Sequence, residues 1–237
     1  EVIQLVIRAL FTKKSYLRYL SHLDLIRLFS RSFNRSQIPI KYSEGFNPHP
    51  KFSIAHPLSL GIESEGEFID IDLMEEIAVE EFISKMNDSL PKDIQIIKAK
   101  YVEDETSITK LISYAYYEIK FQISKSFELE EIKNLITDWL AKEEILIARY
   151  RKKGKNKILV EENIKSLIGN VIIKGFDEDN FLIINALFKI GETGNLKPMD
   201  FMEAMNRDLD LNIDMDLVYI KRLGLYTEDD GNFYSPL

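Results

Sequence analysis

Histidine and its neighbours provide the clearest candidates for acid–base chemistry in this chain. All three histidines lie in the first 60 residues; His22 opens a stretch with helical periodicity, and His49 stands between two prolines. An imidazole titrates near neutral pH, so either can act as a general acid or base, with Asp24 orienting it. The sequence therefore admits an enzyme with His22, Asp24 and His49 as candidate catalytic residues. No H-x-x-x-H or H-E-x-x-H spacing occurs, so we predict no metal site.

A second candidate is a row of arginines on the helix predicted for residues 21–36. Ser21 can cap this helix, with Asp24 in the position of a capping box. Its apolar side is formed by Leu25, Ile26, Phe29 and Phe33. The opposite side carries the arginine stripe, defined here as Arg27, Arg31 and Arg35. Each guanidinium suits a phosphate, so the stripe indicates either an anion or RNA contact or a solvated face.

The third candidate is the proline loop, residues 42–51, with the sequence YSEGFNPHPK. Prolines on both sides of His49 restrict its backbone, and Gly45 permits a tight turn. Such a loop could present Phe46, Asn47 and His49 in one geometry, with Lys51 beside them. It is equally compatible with a structural turn whose phenylalanine fills the edge of the core.

A basic run over residues 149–157 predicts the tip of a hairpin. Such a tip could clamp a nucleic-acid backbone, with Tyr150 available for stacking. It could equally be a mobile charged turn. The basic candidates in this run are Arg149, Arg151, Lys152 and Lys153.

The charge is unevenly distributed along the 237 residues, whose formal net charge is −8. Residues 1–60 are rich in Lys and Arg, whereas residues 61–110 are strongly acidic. An acidic total is therefore compatible with nucleic-acid binding through one basic face. Cysteine is absent, which excludes disulfides, thiol nucleophiles and Cys-ligated metals or clusters in this chain. No apolar run is long enough to span a bilayer, so we expect no membrane partner and a cytoplasmic location.

The order of predicted elements indicates an α+β fold. Each half follows the pattern strand, helix, strands, helix, strand, which is that of split βαβ domains. We predict two tandem ferredoxin-like halves with mainly antiparallel sheets: residues 1–105, carrying the SHLD and GFNPHP motifs, and residues 110–237. The join lies near 103–112. Asp70 and Asp72 alternate with apolar residues and are expected to face solvent, and Ile213–Lys221 is the last predicted strand.

Several motifs resemble the radical-SAM-linked protein family. They are RALFTK at 8–13, LRYLSHLDL at 17–25, IP at 38–39, YSEGFNPHPK at 42–51 and PLSLGIES at 57–64. A weaker similarity is GNLKP at 194–198, where Lys197 replaces the usual arginine. That family is a domain of unknown function, found free or as the C-terminal part of cobalamin-binding radical SAM proteins. The matched motifs contain Ser21, His22, Asp24, Asn47 and His49.

The resemblance implies partnership with a radical SAM enzyme in RNA metabolism. That chemistry needs three Cys thiolates for its cluster, so this chain cannot itself be the enzyme, and we expect no cofactor in it. The leading prediction is an accessory protein that binds RNA (tRNA or rRNA), or another substrate, for a separate radical SAM protein. The alternatives are a metal-independent RNA-processing or RNA-modifying enzyme and a protein-interaction scaffold. The candidate substrate-binding residues are Ser21, Arg27, Arg31, Arg35, Phe46, Asn47, Lys51, Arg149, Arg151, Lys152 and Lys153.

Overall fold

The structure is a computed structural model that describes residues 5–103, 106–125, 127–154 and 156–237, without the side chains at 151–153. Its first six elements are β1 (Leu5–Lys13), α1 (His22–Ser36), β2 (Phe52–Ile54), β3 (Glu63–Leu73), α2 (Val79–Ser89) and β4 (Ile96–Val102). The next five are α3 (Ile108–Leu111), β5 (Tyr114–Phe121), α4 (Leu129–Leu140), β6 (Leu146–Lys153) and β7 (Asn156–Asn163). The last five are β8 (Ile168–Phe176), β9 (Leu182–Lys189), α5 (Pro198–Leu209), β10 (Tyr219–Asp229) and β11 (Asn232–Tyr234).

The fold is mixed α/β with mostly antiparallel strand pairing. The chain forms two compact units, one of residues 1–114 together with 221–237 and one of residues 115–220. The predicted division at 103–112 lies next to the first boundary. The sequence did not predict that residues 221–237 belong to the first unit.

The sheet of the first unit has the order β4-β1-β3, and β2 pairs with β3 as well. All of these neighbours are antiparallel, with Ala9 opposite both Ile69 and Ala99. The last segment of the chain returns to this sheet, because β10 pairs with β3 in parallel through Lys221 and Arg222. The first unit is therefore completed by residues far away in sequence.

The core of the first unit lies between this sheet and the helices α1 and α2. Ile7, Ala9 and Phe11 point to the helix layer and are fully buried. The Phe11 ring meets the Phe29 ring edge-on at 5.0 Å, and Phe33 packs on Phe52 at 5.2 Å. This packing fixes α1 on the sheet and leaves its arginine stripe facing outward.

Helix α1 confirms the prediction made from its cap and its periodicity. The Ser21 hydroxyl accepts a hydrogen bond from the Asp24 backbone N–H at 3.1 Å, as expected of an N-cap residue. The helix ends where Gln37 takes a left-handed conformation with φ of 54°. Such a residue closes the last turn of many helices.

The second unit contains a sheet of order β5-β9-β8 and the separate two-stranded hairpin β6-β7. Helices α4 and α5 pack together through Trp139 and Phe201, whose rings are 5.4 Å apart. Pro198 is the first residue of α5, a position that has no need of an N–H donor. None of the helices in the described part of the chain is long and apolar enough to cross a bilayer.

Two local predictions are wrong. Asp70 is buried and ion-paired to Arg8, whereas its alternating pattern predicted a solvent-facing carboxylate. The last long strand covers Tyr219–Asp229, not Ile213–Lys221, because pairing with β3 selects the later residues. In both cases the deciding partner lies far away in sequence, where local periodicity carries no information.

Candidate functional site

A pocket of about 670 Å³ lies along the outward face of α1. It is bounded by the helix on one side and by the segment that ends α2 on the other. Its lining residues are Leu20, Asp24, Arg27, Leu28, Arg31, Arg35, Ser89, Leu90 and Pro91. The structure thus brings Asp24 and the complete arginine stripe into one concave surface of the size that small ligands occupy.

The N-terminal end of the pocket is fixed by a chain of hydrogen bonds. The Ser21 hydroxyl donates to Asp24 Oδ2 at 2.7 Å, and Arg27 Nη1 donates to Asp24 Oδ1 at 2.9 Å. The hydrogen bond from Ser21 and the Arg27 guanidinium lower the pKa of Asp24. Ser21, predicted to bind substrate, is in this structure the helix cap that holds the carboxylate.

The other two arginines of the stripe differ in their hydrogen bonding. Arg35 Nη2 donates to the Ser89 carbonyl at 2.7 Å and to the Ser32 hydroxyl at 3.1 Å, so it joins α1 to the end of α2. Arg31 is exposed, and among the described residues its guanidinium makes no hydrogen bond or ion pair. Arg31 therefore lies at the centre of the stripe with its donors unpaired among the described residues.

The two candidate catalytic histidines lie outside this pocket lining. His22 is the first residue of α1 and is half-buried, and no described hydrogen bond joins it to Asp24 or to His49. His49 is exposed in the proline loop. Among the described residues, no group of three His, Cys, Asp or Glu side chains is placed to hold a metal ion.

The proline loop is a short hairpin closed by its own backbone. Tyr42 bridges Pro50, the Ser43 N–H donates to the His49 carbonyl at 2.8 Å, and the His49 N–H donates to the Ser43 hydroxyl at 3.0 Å. Phe46 stands at the tip, 113% exposed, so it does not fill the edge of the core. Asn47 and Lys51 are exposed as well.

The loop is attached to α1 beyond the middle of the arginine stripe. The Tyr42 hydroxyl donates to Asn34 Oδ1 at 2.7 Å. Asn34 lies roughly 18 Å along the helix axis from His22, given the rise of an α-helix. The loop is therefore anchored near the end of α1 opposite to His22.

The basic run of the second unit forms the β6-β7 hairpin, as predicted. Its Arg149 is engaged within the unit, because Nε donates to Asp200 Oδ2 at 3.1 Å and Nη2 donates to the Asn195 carbonyl at 3.2 Å. Glu162 lies 3.4 Å from Nη1 of the same guanidinium. The side chains of Arg151, Lys152 and Lys153 lie outside the described part of the chain.

Sequence reasoning missed the buried charges of the first unit. Arg8 donates to Asp70 through Nε at 2.7 Å and through Nη2 at 3.0 Å, and Asp70 also accepts from the Ile108 N–H at 2.9 Å. A second buried pair joins Arg222 Nη1 to both carboxylate oxygens of Glu67 at 3.0 Å. Charged residues within otherwise apolar strands were the only sequence sign of these pairs.

Burial shifts the pKa values of two groups near the Arg222–Glu67 pair. Desolvation lowers the pKa of Lys13, an effect that Glu67 opposes, while Lys13 Nζ donates to the Leu20 carbonyl at 2.9 Å. Burial and the positive charge of Arg222 lower the pKa of His56 to about 4. His56 is therefore neutral at pH 7 and is a poor candidate for a general acid there.

Comparison with solved structures finds a shared fold at low sequence similarity. One chain of the structure titled "Crystal Structure of a Cbf5-Nop10-Gar1 Complex" matches 96% of this chain with 8% identity and a TM-score of 0.51. This chain covers 51% of the length of that one, so it spans about half of it. Likeness at this identity concerns the fold alone.

Comparison with known families gives a match across most of the chain, although no curated protein matches it. The matched model is that of DUF2344, described as an uncharacterised protein conserved in bacteria, and it aligns with residues 7–198. This range includes α1, the proline loop and the hairpin β6-β7. The chain belongs to the bacterial family DUF2344.

Proposed function

We propose that this protein binds RNA as an accessory to a separate radical SAM enzyme, and that the pocket on α1 holds the RNA backbone. The observation that carries the proposal is the convergence of three guanidinium groups in one pocket with Arg31 unpaired among the described residues. A planar guanidinium with free donors binds a phosphate through two parallel hydrogen bonds.

The charge of the pocket supports a polyanionic ligand. Its lining contains three arginines and one carboxylate, that of Asp24, which already accepts from Arg27. The remaining positive charge would attract phosphates, and burying one negative group against it releases counterions. Protonation of Asp24 would raise the charge further, but its lowered pKa keeps it ionised near neutral pH.

The apolar part of the lining supports contact with more than a phosphate. Leu20, Leu28, Leu90 and Pro91 contribute apolar surface beside the arginines. Sites for single-stranded nucleic acid combine cationic groups for the backbone with aromatic side chains that stack on the bases, and the aliphatic side chains here offer apolar contact without stacking. A nucleotide of an RNA strand has both parts.

The partner and the finer fold are parts of the same proposal. The radical SAM enzyme rests on the family resemblance and on the missing cysteines. Two ferredoxin-like halves are supported by the antiparallel order β4-β1-β3-β2 in the first unit and by the succession β5, α4, β8, β9, α5 in the second.

The test compares two charge-reversed double variants in RNA binding. Arg27→Glu/Arg31→Glu changes the pocket, and Lys98→Glu/Lys100→Glu is the matched control. Both lysines are exposed and lie on the other face of the sheet, because Ala99 between them points to the helix layer. Affinity for a single-stranded RNA would be measured by fluorescence anisotropy over a range of salt concentrations.

We expect the pocket variant to lose affinity and to flatten the salt dependence by about 0.7 in log–log slope for each phosphate contact removed. The control variant should retain most of its affinity and most of its salt dependence. Equal losses in the two variants, or no loss in either, would show that RNA is not bound at this pocket.

A further inference from the structure

We propose that Phe46 is a stacking platform for an unpaired base of the RNA strand whose backbone lies on the arginine stripe. This inference rests on the proposed function and specifies its ligand as single-stranded RNA. It assigns a binding role to the tip of the proline loop, where the ring projects fully into solvent.

The exposure of Phe46 is extreme for a large apolar side chain. At 113% it exceeds the other exposed large hydrophobic residues of the described chain, among which Tyr16 follows at 86%. Leaving a phenylalanine ring in water forgoes the favourable free energy of burying its apolar surface. An aromatic ring held away from the core in this way is available to a ligand.

The loop holds the backbone that carries Phe46 in a defined shape. The Tyr42–Pro50 bridge and the two hydrogen bonds between Ser43 and His49 close the stem. Gly45 has φ of +125°, a conformation that other residues rarely adopt, and this shapes the turn just before Phe46. A closed stem lowers the entropy lost when a ligand binds to the tip.

The loop also stands beside the arginine stripe. Its Tyr42 is hydrogen-bonded to Asn34, which lies one turn after Arg31 and next to Arg35. Asn34 is about 60° round the helix from Arg31, on the flank opposite to the pocket residue Leu28. A strand whose phosphates follow the stripe would therefore have the pocket wall of Leu28 and Ser89–Pro91 on one side and the loop on the other.

The surroundings of Phe46 favour a base over a protein surface. Positions 44–49 are all exposed, and the residues next to Phe46 in sequence are Glu44, Gly45, Asn47, Pro48 and His49. A protein hot spot normally lies within a ring of contacts that excludes water. A single aromatic face flanked by hydrogen-bonding groups is instead the arrangement that stacks one unpaired base and contacts its edge.

The experiment compares two probes that share a backbone: a short single-stranded oligoadenylate and an abasic oligomer of the same length. The variants are Phe46→Ala, Phe46→Trp and the control Leu60→Ala, which removes another exposed apolar side chain of the same unit. We expect Phe46→Ala to weaken oligoadenylate binding by about 5- to 150-fold, the range for loss of one stacked base. Phe46→Trp should retain the affinity, and the abasic oligomer should not distinguish the variants.

Unchanged oligoadenylate binding by Phe46→Ala, or equal losses on both probes, would overturn the stacking role. If Arg27→Glu/Arg31→Glu still loses affinity in that case, the proposed RNA site stands without Phe46. If neither set of variants changes RNA affinity, the proposed function itself fails. Loss of a protein partner by Phe46→Ala, with RNA binding intact, would instead assign the ring to a protein interface.

Discussion

At the scale of single residues, the sequence predicted one wall of the pocket and not the other. The arginine stripe followed from a spacing of four along one helix, because residues at that spacing share a face. The opposite wall of the pocket, Ser89–Pro91, did not follow, because it comes from the end of another helix. Asp70 was misassigned for the same reason: its partner Arg8 is 62 residues away in sequence.

The Arg8–Asp70 pair gives a prediction about stability. Asp70→Ala leaves the Arg8 guanidinium buried without its carboxylate, which should lower the free energy of unfolding by about 3–5 kcal/mol. Glu65→Ala, on the same strand, removes only an exposed carboxylate paired with Lys221, and it should cost less than about 1 kcal/mol. Urea unfolding followed by circular dichroism measures both.

Replacement of both members of the pair separates charge from packing. The Arg8→Met/Asp70→Leu variant removes both buried charges and should recover much of the stability lost by Asp70→Ala. If Asp70→Ala is as stable as Glu65→Ala, the Asp70 carboxylate does not compensate the buried charge of Arg8.

Elements with local start and stop signals were predicted well. Helix α1 has a capping serine and was predicted within a residue of its observed limits. The predicted range of the long strand β10 lay too close to the N-terminus, because the position of this strand depends on pairing with β3. Local chemistry therefore predicts helices here, whereas the sheet requires tertiary information.

Arg149 gives a prediction about how the hairpin β6-β7 is attached to the rest of the second unit. Arg149 joins it to Asp200 in the first turn of α5 and to the Asn195 carbonyl. Arg149→Gln should loosen the hairpin, which would raise the hydrogen-exchange rates of its amides several-fold while those of β8 and β9 stay unchanged.

Lys157→Gln is the matched control for this prediction, because it removes one exposed positive charge from the same hairpin. Its amide exchange should equal that of the unaltered protein. If the hairpin amides of Arg149→Gln exchanged at the same rates as those of the unaltered protein, other contacts would hold the hairpin in place.

At the scale of the whole molecule, the path of the chain matters most. It leaves the first unit after Tyr114 and re-enters it at Lys221. The returning segment supplies Arg222, whose side chain is 2% exposed and pairs with the equally buried Glu67. The integrity of the first unit therefore depends on residues that follow the second.

Shortening the chain tests this dependence. A chain that ends at Ile220 lacks Arg222 and leaves Glu67 buried without its guanidinium, so the first unit should lose cooperative unfolding. A chain that ends at Asp229 keeps β10 and loses only β11 and the tail, so it should unfold cooperatively. Retained cooperativity in the shorter chain would show that the returning strand is dispensable.

The path of the chain also sets the order of events during protein synthesis. The ribosome makes β1, β3 and Lys13 first, yet the arginine that pairs with Glu67 emerges only after the entire second unit. Until then the edge of β3 lacks its β10 partner and Glu67 lacks its guanidinium while about a hundred further residues are added, a state prone to misassembly. Full closure of the first unit is therefore a step that follows synthesis of residue 222.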